Sequence, residues 1–298
     1  MDRPLQWDGT SKGSALGSRI FMWLIGHVGL LPAYFLLVPV SLYYALFDSK
    51  SIHALRLYWA HCGKKAGFVH LWRHFFWFGM SLLDRYLFLI KDNPPFTFTT
   101  VNEETITAAV GEGKGVILLS AHVGNWEIAG NLLFDRIHAP VNFTMVDAEK
   151  NEIREVFGKA FGGRRVTILP VGKDGMAFIM GVHDALRKGE IVCMHGDRML
   201  GNKGLTTRFL GGPVEFPLGP FAIAAATGAP VIPIFAVKKS LWAYEMMAFR
   251  PIIVSSDSHA DRNANATEAL QKYVKLLEQV VKENPYEWFN FYDFWEEG

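Results

Sequence analysis

The chain has 298 residues, enough to bury a sizeable core as one large domain with an appendage or as two domains. A net charge of +1 and a pI near 7.8 give no basic footprint for a nucleic-acid binder, and the two cysteines, Cys62 and Cys193, form neither a disulfide framework nor a metal-like spacing. Half of the residues are hydrophobic, 14% are aromatic and the mean hydropathy is +0.14, which is high for a soluble enzyme and points to contact with a membrane.

Residues 20–47, IFMWLIGHVGLLPAYFLLVPVSLYYALF, carry no Asp, Glu, Lys or Arg between Arg19 and Asp48. As one helix the run is long enough to cross a bilayer core of roughly 30 Å. The run is too long for a signal peptide and lacks a clear small-residue cleavage site. Pro32 and Pro39 would kink such a helix, so a pair of interfacial or buried helices broken near Gly29–Pro32 is the alternative.

From Lys50 to Asp92 the basic residues Lys50, Arg56, Lys64, Lys65, Arg73, Arg85 and Lys91 interleave with Trp59, Trp72, Phe75, Phe76, Trp77 and Phe78. That mixture suits the anionic face of a bilayer and, if 20–47 spans, places this side in the cytoplasm. A solvated basic face on ordinary helices is the plainer reading. His70 and His74 are four apart, but no third metal ligand is evident. Residues 1–93 are therefore expected to form a membrane-embedded or interfacial helical segment, and 94–298 a separate α/β domain.

Beyond Pro94, strand-like runs at 97–102, 115–121, 141–146, 165–170, 190–195 and 229–237 alternate with helical patterns at 124–137, 150–161, 174–188 and 218–227. Such alternation predicts an α/β fold with a largely parallel central sheet flanked by helices. The sheet is expected to be mixed, because residues 241–254 follow the last core strand with no room for a crossover helix. An amphipathic helix from about Arg262 to Lys282 precedes the aromatic tail NPYEWFNFYDFW.

GEGKG at 111–115 precedes its strand and completes no phosphate-binding pattern, so a turn is the better reading. No GxSxG elbow occurs. The stretch SAHVGNWEIAG, residues 120–130, is more informative. Residues five apart on one helix point about 140° away from each other, so His122 and Glu127 cannot cooperate inside a helix. They can if His122 ends the strand and Glu127 sits in the first turn of the next helix. Gly124 permits the corner, and Asn125 is a good N-cap for a helix starting at Trp126. A neutral His held by a carboxylate can take a proton from a hydroxyl or amine as that group attacks an acyl carbon. An activated thioester needs no Ser or Cys nucleophile and no metal or redox cofactor. Alternatively the His is a buried strand cap and the Glu only complements the helix dipole.

The arrangement SAHVGNWEIAG, at the head of an α/β domain after an apolar N-terminus, resembles the bacterial lipid A biosynthesis acyltransferase family. These lauroyl/myristoyl transferases belong to the lysophospholipid acyltransferase superfamily, marked by His-x4-Asp/Glu. Three further blocks follow in the family's order: ALRKGEIVCMHGDRM (185–199), TRFLGGPVEFPLGPFAIAAATGAPVIPIF (207–235) and the terminal NPYEW. The resemblance implies acyl transfer from acyl carrier protein or coenzyme A to a membrane-lipid acceptor, on the cytoplasmic face of the bacterial inner membrane. It carries over His122 as general base and Glu127 as its partner. Asp197 matches the family's acidic loop position and is expected to shape the acceptor or oxyanion environment. Arg198, Arg165 and Asn125 are candidates for substrate contact, with an Asp–Arg turn pair at 197–198 and a solvated loop at 164–165 as alternatives.

Two departures bear on the acceptor. The family's Arg after the strand equivalent to VNFTMV is missing from MVDAEKNE, and its His/Arg-rich tail is replaced by WFNFYDFWEEG. A bis-phosphorylated sugar would want cations at both places. The tail is similar to homologues linked with aryl-polyene or flexirubin-type pigments and with amino-acid lipids. Two other functions are compatible with the pattern: a catalytically silent lipid- or acyl-binding membrane protein, and a lipid (thio)esterase using water as acceptor.

Overall fold

A computed structural model of the protein describes residues 15–91, 94–125, 128, 137, 139–146, 166–171, 175–199, 204–254 and 259–295. Helices α1 (Ala15–His27), α2 (Leu30–Phe47), α3 (Ser49–His61) and α4 (Phe68–Ile90) come first. They are followed by β1 (Thr97–Val101), α5 (Glu104–Gly111), β2 (Val116–Ser120), β3 (Val141–Val146) and β4 (Val166–Val171). The remainder is α6 (Gly175–Arg187), β5 (Ile191–His195), β6 (Gly204–Phe209), β7 (Gly212–Pro217), α7 (Gly219–Thr227), β8 (Val231–Ser240), β9 (Ala243–Ala248) and α8 (His259–Glu283).

Seven strands make one sheet in the order β1-β9-β8-β2-β5-β3-β4. All neighbours are parallel except β8 and β9, which join antiparallel across a two-residue turn. The expected α/β fold with a mixed, largely parallel sheet is therefore present. A hairpin, β6 with β7, stands apart as a second sheet.

Side-chain alternation sorts the central strands between two cores. Ile117 and Leu119 of β2 share one with α6, α7, α8 and the C-terminal aromatics Trp288 and Phe294. Val116 and Leu118 share the other with Ile106 and Ala109 of α5. Burial on both faces is why these strands read as continuous apolar runs rather than as alternation.

The apolar run 20–47 is two helices. Gly29, at φ +118, separates α1 from α2, a backbone conformation open to glycine and costly for other residues. Pro32 falls in the first turn of α2, where its missing N–H costs nothing, while Pro39 lies inside a helix that continues past it. Among the described residues α2 is the one helix long and apolar enough to cross a membrane. Leu16, Ile20, Trp23, Leu31, Phe35, Leu46 and Phe47 are exposed along α1 and α2, Phe35 to 76%.

The opposite faces of these helices are buried against the sheet edge. Ile25, Leu30, Tyr34 and Leu37 pack with Met80, Leu83 and Leu87 of α4 and with Tyr244 of β9. At that contact Asp84 of α4 is buried with Lys238 of β8, and it accepts hydrogen bonds from Lys238, Tyr34 and Tyr244. Removing Asp84 or Lys238 would strand a charge in an apolar setting, so the pair ties α4 to this edge, and the Tyr34 hydroxyl on Asp84 ties α2 to it.

Candidate active site

The site is built where β2 and β5 end side by side. Their register pairs Ser120 with His195, so His122 and Asp197 each stand two residues beyond the paired ends. The carboxyl ends of parallel strands in an open sheet are the usual place for a ligand. Asp197 is 2% exposed, and its carboxylate accepts from His122 twice: from the backbone N–H at Oδ2, 2.9 Å, and from Nδ1 at Oδ1, 2.8 Å.

Burial works to raise the pKa of Asp197, but His122, Arg198 and His195 outweigh it and hold the group well below the usual carboxylate range. The ionised carboxylate can only accept, so Nδ1 carries the imidazole proton and Nε2 the lone pair. His122 keeps a quarter of its side chain exposed. Burial, then the Arg198 charge, lower its pKa below the ordinary imidazole value, against the opposing pull of Asp197. The result is a neutral histidine of fixed tautomer at the end of a core strand, which is what a general base requires.

The neighbouring His195 ring lies 4.5 Å from that of His122, centroid to centroid. Burial pushes its pKa down to about 3, so it stays neutral and adds no competing charge. Arg198 Nη2 donates to Phe289 O at 3.4 Å, and the guanidinium stands 5.6 Å from the Tyr292 ring. Its charge therefore sits between the site and the C-terminal segment.

Gly124 makes the corner possible. Its φ is +65, and a Cβ there would lie 1.9 Å from the Ala236 carbonyl oxygen. The next residue uses the same carbonyl, Asn125 N–H donating to Ala236 O at 2.7 Å. The Asn125 side chain is 3% exposed and its amide donates to Ser81 O of α4 at 2.9 Å. Asn125, expected to touch substrate, is thus tied to the framework through one of its amide N–H groups.

Among the described residues, the carboxylate at Nδ1 of His122 is that of Asp197. Of the helix expected at 124–137, Gly124 and Asn125 form the corner, Ile128 is helical and buried and Ile137 is buried, and its other residues, Glu127 among them, lie outside the described residues, as do the helix expected at 150–161, Arg164 and Arg165. Sequence reasoning had Asp197 near the site in another role, gave none to His195, Glu287 or Trp288, and weighed His74 only with His70 as a metal ligand. The available signal for Asp197 was its place two residues past the strand IVCMH, but using it required knowing that β5 is the neighbour of β2.

Comparison with known proteins supplies the family. The model of the bacterial lipid A biosynthesis acyltransferase family matches residues 90–297. The chain belongs to that family. A phosphatidylinositol mannoside acyltransferase of Mycobacterium tuberculosis is 30% identical over 131 residues, 43% of this chain and 40% of the relative. Another, from Mycolicibacterium smegmatis, is 27% identical over 138 residues, 45% of this chain and 44% of the relative. The chain thus spans less than half the length of the curated relatives it matches.

Proposed function

We propose that this protein is a membrane-associated acyltransferase. It moves a fatty acyl group from an acyl carrier protein or coenzyme A thioester to a hydroxyl or amine of a lipid or lipid-like acceptor. The observation that carries this reading is His122 at the end of β2 with its Nδ1 proton fixed on an ionised, buried Asp197, in a chain of this family.

His122 Nε2 accepts the proton of the acceptor O–H or N–H as that oxygen or nitrogen attacks the thioester carbonyl carbon. Asp197 stabilises the imidazolium that forms. The tetrahedral intermediate collapses with cleavage of the C–S bond, and the leaving thiolate takes the proton back from His122. A base of this kind contributes on the order of 10²–10⁴ in rate. Glu127 remains a second carboxylate five residues from His122, and Arg165 remains a candidate contact for a phosphate of the donor or acceptor.

Exposed apolar side chains along α1 and α2 support a seat at a bilayer, which we take to be the bacterial inner membrane with the catalytic domain on its cytoplasmic side. The acidic tail and the missing arginine favour an acceptor less anionic than lipid A. The relatives are named for a mannosylated phosphoinositide, which fits a hydroxyl-bearing glycolipid as one acceptor class.

The test is a comparison of extracted lipids and pigments from cells with and without the protein. A species heavier by one fatty acyl group, present only with the protein, supports the reading. Free fatty acid released from thioester without any acceptor would instead identify a thioesterase.

A further inference from the structure

Helix α4 precedes nearly all of the segment that matches the family, yet one face of it reaches the catalytic corner at three places. His74, Phe78 and Ser81 recur at intervals of four and three and so share that face. Ser81 O accepts the Asn125 amide at 2.9 Å. His74 Nε2 donates to Trp288 O at 2.9 Å, and the Phe78 ring packs against Phe289 at 5.2 Å between centroids.

Trp288 and Phe289 belong to a short strap laid antiparallel against the corner. Val123 pairs with Trp288 as an isolated bridge, Gly124 N–H donates to Glu287 O at 2.7 Å, and Phe289 N–H donates to His122 O at 2.8 Å. His122 is therefore clamped on both sides of its own backbone. Asp197 holds its N–H, and the strap holds its carbonyl.

The strap is in turn fixed by His74, which is fully buried among the rings of Tyr58, Trp59, Tyr286, Phe289 and Phe291. The other ring nitrogen of His74, Nδ1, has no hydrogen-bond partner among the described residues. Leaving a buried acceptor unsatisfied is costly, and a purely apolar residue would avoid that cost in so aromatic a site. What the histidine supplies is the Nε2–H that fixes the Trp288 carbonyl.

We propose that α4 is a positioning element for the catalytic histidine, with His74 and Asn125 as its two ties: His74 through the strap 287–289, Asn125 directly at the corner. The proposal rests on His122 being the base, and its test reads His122 separately from turnover.

The full chain, labelled with nitrogen-15 histidine in detergent micelles, gives a downfield proton resonance from the His122–Asp197 bond, assigned by its loss in His122→Gln. Turnover is followed with palmitoyl-coenzyme A as the probe thioester and the total lipid extract of the source membranes as acceptor. In His74→Gln the amide nitrogen reaches the place of Nε2, so the resonance persists and kcat stays within about twofold of wild type. In His74→Asn the side chain is too short, the resonance broadens or moves, and kcat falls by about tenfold to a hundredfold with KM for the thioester within about twofold.

An unchanged resonance and kcat in His74→Asn overturn the proposal, and so does equal damage by Gln and Asn, which would make His74 packing alone. Where His74→Asn does not accumulate folded, Asn125→Ala decides by the same two readings. Wild-type protein without turnover but with the resonance effects intact would count against the proposed reaction and leave the positioning role standing.

Discussion

One carboxylate holds His122 by both its backbone and its ring: Asp197 takes the main-chain N–H at 2.9 Å and Nδ1 at 2.8 Å. A backbone bond alone would shape the loop, and a ring bond alone would leave the histidine free to shift with it. Together they fix where Nε2 stands and which tautomer it belongs to. The first prediction follows directly. Asp197→Asn keeps the shape but can donate as well as accept, so it favours the wrong tautomer. We expect kcat to fall by about 10²–10⁴ with the thermal midpoint nearly unchanged, measured by initial rates and calorimetry on the same preparation. Wild-type turnover in this variant would remove Asp197 from the mechanism.

The pH profile tests the electrostatics. His122 works as a base when neutral, and burial together with Arg198 lowers its pKa. The charged and titratable groups facing it among the described residues are Asp197, Arg198 and His195. The acid limb of kcat/KM should therefore lie below the ordinary imidazole value, with activity kept as pH falls through it. Arg198→Gln removes a repelling charge and should move that limb upward. A limb that does not move would mean that Arg198 does not act on His122 electrostatically.

Gly124 and Gly113 offer a matched comparison. Both have positive φ, +65 and +72, but a Cβ at Gly124 meets the Ala236 carbonyl at 1.9 Å whereas at Gly113 nothing lies within 4 Å. Gly113→Ala should cost about 1–3 kcal/mol, the strain of a left-handed backbone. Gly124→Ala should cost more than that and abolish activity, because the chain must move at the catalytic corner. Equal losses in chemical denaturation would show that the corner is not as tight as this geometry implies.

Glu287 makes stability depend on pH in the direction opposite to the usual carboxylate. Burial raises its pKa to about 8, with Asp84 adding to this and the Lys238 N–H, Lys238 and Lys239 opposing it. The folded state thus holds a proton that the unfolded chain gives up near 4.5. That contribution is complete below about pH 4.5 and is lost as pH rises through about 8. Glu287→Gln should flatten the decline in thermal midpoint between about pH 5 and about pH 9. A parallel decline in both proteins would place the effect elsewhere.

Much of the sheet was legible because its strands are short apolar runs ended by glycine or proline. VNFTMV at 141–146 became β3 without adjustment, and α6, α7 and α8 fell within a few residues of their helical patterns. The β6–β7 hairpin was not legible. Its turn places Leu210, a non-glycine residue, at φ +49 before Gly211 at φ +84, and that choice is supported from afar by Leu210 N–H donating to Glu278. The break between α1 and α2 was one of two readings open to the sequence, since Gly29 can end a helix or pass unnoticed in a long one.

The site was half legible for a related reason. His122 and the glycine corner are local features, visible in eleven consecutive residues. Asp197 lies 75 residues from His122, and the Trp288 carbonyl lies 214 residues from His74. Strand order brings the first pair together, and the packing of α4 against the C-terminal strap brings the second. Neither relationship has a periodicity or spacing that a single sequence carries.

The most direct measurement of the central claim is transfer of a labelled acyl group from its thioester into the lipid fraction of membranes holding either wild-type protein or His122→Ala. We expect incorporation by the wild type and a loss on the order of a hundredfold or more in the variant, with both proteins folded and equally abundant. Equal incorporation by the two would contradict it.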